Sequence, residues 1–73
     1  MKLQLKEKTN AIIETDDIKE ISEVNFYEVP DVYIQSWFTY SISYKNGQTI
    51  HMYYDTRQGA ENDLKFILEN VKL

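Results

Sequence analysis

One histidine, a cluster of three carboxylates and an aromatic-rich stretch are the residues that could do chemistry or make a contact in this chain. His51 is the only histidine. An imidazole can serve as general base or acid, but it needs a nucleophile or an orienting carboxylate beside it. The strand register argued below places Ser41 opposite His51. Ser-His alone is a common cross-strand pair, and it is read as one here. Glu14, Asp16 and Asp17 could bind a hard cation loosely. Their spacing is not that of an EF-hand, which also needs a turn glycine and a distal bidentate glutamate, so they read as a solvated acidic turn. The two glycines, Gly47 and Gly59, build no phosphate-cradling loop. No catalytic, cofactor or metal site is therefore expected. What remains is a run of aromatic residues on alternating positions, Tyr33, Trp37 and Tyr53 with His51 among them.

These residues belong to the stretch Val32 to Asp55, which reads as one long β-hairpin. Both arms are rich in β-branched and aromatic residues and alternate with a period of two. Asn46-Gly47 marks the turn, and two registers are available. A two-residue loop would set Ile42 opposite His51 and mix apolar with polar residues on both faces. A type I turn over Lys45 and Asn46, with Gly47 left-handed in a G1 bulge, sets Ile42 opposite Ile50. A slip of one residue flips every side chain, so the hydrophobic pattern selects the second register. One face then carries Phe38, Tyr40, Ile42, Ile50, Met52 and Tyr54. The other carries Tyr33, Gln35, Trp37, Thr39, His51 and Tyr53, with Trp37 diagonal to Tyr53 and within reach of it. This second face has two readings. Uncovered, it is an aromatic patch of the kind that marks a protein interface. Alternatively the N-terminal strands, with Leu3, Leu5 and Ile12 or Ile13, fold over it as a second core. So short a chain has few other apolar residues, which favours partial cover with one edge of Trp37 left for contact.

The flanking segments supply the rest of the fold. Lys2 to Glu7 alternates and reads as a strand. Lys8-Thr9-Asn10 suits a turn, and Ala11 to Thr15 a second strand. Asp17 with Glu20 resembles a capping box, and Ile18 and Ile21 share a helical face, but the run is too short for a stable helix, so at most one helical turn is expected there. A strand follows at about Glu23 to Glu28, and Pro30 interrupts it. The arm from Val32 is long enough that a bend is expected, at Ser36. After Tyr54 the period changes. Asp55 or Thr56 can cap a helix over about 57–71, whose stripe is Ala60, Leu64, Ile67, Leu68 and Val71. Glu61 and Asp63 lie towards its positive end and Lys72 at its negative end. Phe66 lies off the stripe.

The 73 residues bound one domain, near the lower limit for a self-sufficient core, with no cysteine to supplement it. The net charge of −4 is uneven: residues 1–10 carry +2, 11–31 carry −6, 32–54 carry +1 and 55–73 carry −1. That balance argues against direct binding of nucleic acid, whose phosphates demand basic residues, and Lys45 is the sole base between 32 and 54. No apolar run approaches the ~20 residues of a membrane helix. Met1-Lys2 leads into a charged strand, which does not resemble a signal peptide. Absence of cysteine is compatible with a reducing compartment, so a cytoplasmic protein is expected. Lysine outnumbers arginine seven to one, a usage that hints at an AT-rich bacterial or phage genome.

The expected fold is α+β: a small curved antiparallel β-meander of about five strands, with a long hairpin at 32–55, packed on one C-terminal helix. Such a sheet closed by a terminal helix is broadly similar to bacterial PH-like domains over Val32 to Leu73. The similarity is architectural, rests on no motif and implies no site. The expected function is a non-enzymatic protein-binding or self-associating module, an accessory protein contacting its partner through Tyr33, Trp37, His51 and Tyr53. A second expectation is an acidic inhibitor that occupies the basic site of a nucleic-acid-binding protein, suggested by the −6 of residues 11–31. A small metal-dependent or hydrolytic enzyme ranks below both.

Overall fold

A computed structural model describes residues 1–28 and 36–71. The fold is α+β. In order it has β1 (Lys2–Gln4), β2 (Ile12–Glu14), β3 (Ile18–Ile21), β4 (Asn25–Glu28), β5 (Ser36–Tyr44), β6 (Thr49–Tyr54) and α1 (Arg57–Asn70). Six strands lie among the described residues, in keeping with the expected small antiparallel meander and C-terminal helix. They form a two-stranded β1–β2 sheet and a four-stranded sheet built on β5. Strands β3 and β4 pair with successive parts of one edge of β5, and β6 pairs with the other edge, all antiparallel. The bend expected at Ser36 involves the arm before it, which, with Tyr33, Gln35 and Pro30, lies outside the described residues, as does Lys72.

The hairpin has the bulged register. Ile42 pairs with Ile50, Tyr40 with Met52 and Phe38 with Tyr54. Gly47 has φ +94°, a conformation that suits a residue with no Cβ. Its N–H reaches the Tyr44 carbonyl at 3.0 Å, and the Tyr44 N–H reaches the Gln48 carbonyl at 2.8 Å. Asn46 Oδ1 accepts from the Gln48 N–H and steadies the turn.

Residues 18–21 are a strand, not the expected helical turn. Ile18 pairs with Tyr44, Glu20 with Ser43 and Ile21 with Ile42, with a register shift between Ile18 and Glu20. One extra residue, Lys19, is accommodated there as a β-bulge. The bulge brings Ile18 and Ile21 to the same face at a spacing of three, which imitates helical periodicity. Asp17 enters the strand with φ +61°, a conformation Asp tolerates better than most residues.

The core is a single cluster. Leu3, Leu5 and Ile13 from the N-terminal strands meet Tyr40, Ile42, Tyr54, Ala60 and Ile67. The N-terminal hairpin therefore packs on the same face as the helix and does not cover the face of Trp37, which corrects the favoured sequence reading. Its strands are also shorter than expected. Lys6, Glu7 and Lys8 leave the β1 ladder because their N–H groups go to the side chain of Asp63, at 3.0, 2.8 and 3.1 Å. The hairpin closes with the Leu5 N–H on the Ala11 carbonyl.

Thr56 caps α1, its hydroxyl accepting the Gly59 N–H at 3.1 Å. Gly59 lies close to this cap and to the Tyr54 ring, and a Cβ there would stand 3.1 Å from Thr56 Oγ1. The buried face is Ala60, Asp63 and Ile67, with Leu64 half-buried. Leu68, expected on the stripe, is 47% exposed. Asp63, placed by sequence only towards the positive end of the helix, is fully buried in its stead. The stripe is rotated towards Asp63 because four donors converge on that carboxylate. Phe66 packs at the margin, with Lys6 Nζ 4.6 Å from its ring centroid.

A urea series checks this rotation. Ile67→Ala is expected to cost about 2–5 kcal/mol and Asp63→Ala about 3–5 kcal/mol. Leu68→Ala is expected to stay within about 0.5 kcal/mol of the parent. Equal losses at Ile67 and Leu68 would contradict this helix orientation.

Candidate functional site

Three groupings could carry function, and they differ in access. The first is a buried polar chain. Tyr54 Oη donates to Asp63 Oδ2 at 2.8 Å, and the Tyr40 and Tyr54 hydroxyls lie 2.9 Å apart. Their rings stack at 5.7 Å. Asp63 takes two N–H groups on Oδ1 and one N–H plus the tyrosine on Oδ2. Every oxygen is engaged and all three side chains are buried, so no acceptor or donor is left over for a substrate. The chain is structural. Burial pushes the Tyr40 hydroxyl up to about 12; the bond to Tyr54 opposes this and the nearby Asp63 charge adds to it. Burial likewise raises Tyr54, reinforced by its bonds to Tyr40 and Asp63.

The second grouping is the acidic turn. Glu14 Oε1 and Asp16 Oδ2 each accept from the Met1 amine at 2.7 Å. The amine holds the Glu14 carboxyl below the usual carboxylate range, helped by the Asp16 N–H. Asp17 is exposed and its carbonyl accepts from the Lys45 N–H. Among the described residues no three His, Cys, Asp or Glu side chains stand close enough to hold a metal ion.

The third is the face of the sheet opposite the core. Thr39 pairs with Tyr53 and Ser41 with His51 across β5 and β6. His51 is exposed and makes no side-chain hydrogen bond among the described residues. Trp37 is half-buried and meets Tyr53 edge-on, with centroids 6.5 Å apart. Sequence reasoning missed a third member. On β4, Tyr27 pairs with Trp37 and so shares its face. Tyr27 is 51% exposed and Tyr53 43%. The signal for it was the alternation of Asn25, Phe26 and Tyr27, unusable without the β4–β5 register. Tyr27, Trp37 and Tyr53 thus run across three adjacent strands. Of the sequence candidates, Trp37, His51 and Tyr53 come together on this face; Tyr33 lies outside the described residues. Nearby, Thr39 Oγ1 is buried without a hydrogen-bond partner. At the end of β6 a shallow groove runs between Trp37, Tyr53 and Asp55 on one side and the N-terminal turn at Lys8, Thr9 and Asn10 on the other, so this turn borders one end of the aromatic row.

Comparison with known protein families, with curated proteins and with solved structures finds no match for this chain. Among the described residues no helix is long and apolar enough to cross a membrane.

The buried tyrosines set the alkaline limit of the fold. Their folded pKa values lie above the ordinary value of 10.0, so the folded state holds protons that the unfolded state releases. The Tyr40 contribution is complete below pH 10 and is lost as pH rises through about 12; the Tyr54 contribution has the same sign, complete below pH 10 and weakening above it. The unfolding free energy from urea melts is expected to fall steeply between pH 10 and 11.5, by up to about 1.4 kcal/mol per pH unit for each tyrosine. Tyr40→Phe should flatten that slope; a flat parent profile would contradict the burial of both hydroxyls.

Proposed function

We propose that this chain is a small non-enzymatic module working through protein–protein contact, either with a partner or with itself. The observation that carries the reading is the row Tyr27, Trp37 and Tyr53, paired across three strands on the face opposite the core cluster, with Tyr27 and Tyr53 about half exposed and the N-terminal turn bordering only one end. Both the helix and the N-terminal strands contribute to the opposite face. Tyr and Trp are enriched at binding hot spots because they combine large apolar area with a polar tip. Stacking on single-stranded nucleic acid is a weaker fit, since Lys45 is the sole base between 32 and 54 and the chain carries −4. A cytoplasmic setting, with no cysteine to oxidise, belongs to the same proposal.

One observation favours a second reading, an acidic inhibitor seated in a partner's basic groove. Asp16, Asp17, Glu20 and Glu23 are all exposed along the β3 side of the sheet. Contact through that side would weaken strongly with salt, whereas contact through the aromatic face would not.

Trp37→Ala separates a contact role from a packing role. Folding stability is expected to fall by about 1–2 kcal/mol, since the side chain is only half-buried and loses one edge-on partner. Association, read by sedimentation or by capture of a partner, should weaken by about 2 kcal/mol or more. A loss of about 3–5 kcal/mol in folding with association unchanged would return Trp37 to the core.

A further inference from the structure

The outer edge of β6 carries a row of backbone groups with no partner. Ser41 turns its backbone towards β3: its carbonyl accepts from the Ser22 N–H at 2.9 Å, and its N–H reaches Ser22 Oγ at 2.8 Å. Its cross-strand partner His51 must then turn its own N–H and C=O the opposite way, off the free edge. The same alternation sends the backbone groups of Thr49 and Tyr53 outward. Among the described residues no backbone hydrogen bond joins these three to the N-terminal hairpin or to any other segment.

The two edges of the main sheet are built differently. The β3–β4 edge is broken into two four-residue strands, bulged at Lys19 and lined by Lys19, Glu20 and Glu23. Interruption, bulging and charge are the usual devices that stop a sheet from pairing onward. The β6 strand carries none of them, and the N-terminal hairpin borders it across open grooves without a backbone hydrogen bond among the described residues. The six residues of β6, Thr-Ile-His-Met-Tyr-Tyr, keep an unbroken register with β5 and include no charge, proline or glycine.

We infer that β6 pairs antiparallel with β6 of a second copy of this chain, about a two-fold axis at His51. The inference rests on the self-association form of the proposal above, but it stands on backbone groups and not on the aromatic face. The register follows from the geometry. Centring the axis on His51 matches His51 with His51 and Thr49 with Tyr53, so all three outward residues exchange both of their backbone bonds. Any other antiparallel register leaves at least one of them unmatched. A second copy also suits the charge: the molecule carries −4, and this strip is neutral, so two copies meet here without repulsion between carboxylates. Thr opposite Tyr is a favourable cross-strand pair. The product is one continuous sheet whose two rows of Tyr27, Trp37 and Tyr53 lie on the same face.

Edge pairing of so short a strand buries less than the roughly 800 Å² per partner of a standard interface, so association should be followed up to about 1 mM. The chain has no cysteine, so His51→Cys allows a single nitroxide on the open face. Dipolar broadening is expected at that position and not at Lys19→Cys, on the far edge. His51→Pro removes an outward N–H that the β5 ladder does not use, and His51→Lys sets two like charges face to face. Both should weaken dimerisation at least about tenfold. If the proline variant fails to fold, the lysine variant alone decides. A parent that stays monomeric at 1 mM, or a dimer indifferent to His51→Lys, would overturn the inference. If Trp37→Ala disrupts association and His51→Lys does not, the edge is excluded and the aromatic-face reading stands. Loss with His51→Lys alone supports the edge and counts against the face.

Discussion

The carboxylate of Asp63 is the point at which the parts of this fold are joined. Its oxygens take three consecutive N–H groups from residues 6–8 and the hydroxyl of Tyr54. A concave run of backbone N–H groups is an anion-binding nest in many proteins. Here the anion is a side chain of the same molecule. No lysine or arginine nitrogen pairs with Asp63 among the described residues, so oriented backbone dipoles and one phenol offset the cost of burying it. The arrangement fixes the helix against the sheet and draws the N-terminal chain over the same face. It also decides which face of the sheet stays open.

Much of the fold was legible before any coordinates. The register of the main hairpin followed from one constraint, that Ile42 and Ile50 must share a face, and Asn46-Gly47 supplied a turn able to satisfy it. The extent of the helix was equally direct, and its cap was narrowed to Asp55 or Thr56, of which Thr56 serves. The failures have a common cause: long-range contacts that patterns along the chain do not encode. An aspartate in a helix reads as solvated, so burial of Asp63 and the resulting exposure of Leu68 were invisible. The spacing of Ile18 and Ile21 is helical unless a bulge intervenes, and bulges leave no reliable local mark. The placement of Leu3, Leu5 and Ile13 on the helix side depended on the same carboxylate.

The candidate surface was legible in part. Trp37, His51 and Tyr53 lie on one face because alternation in a strand is strict. Tyr27 completes the row through a pairing that sequence alone did not specify. What distinguishes this face is its setting rather than any single residue. Two layers of apolar side chains, from the helix and from the N-terminal strands, are spent on the other side. A chain of this length has little apolar surface left to cover both.

The Asp63 contacts span 55 to 57 positions in sequence. Closing a loop of that length costs about 2 kcal/mol more chain entropy than closing the four-residue turn of the main hairpin. The hairpin and the helix that follows it are local and can form first, with the N-terminal arm docking onto an assembled surface. Undocking that arm takes release of these hydrogen bonds together with exposure of Leu3, Leu5 and Ile13, and leaves the β5–β6 ladder intact. The amides of residues 6–8 therefore exchange through a local opening of the arm, while those shared by Ile42 and Ile50 wait for global unfolding.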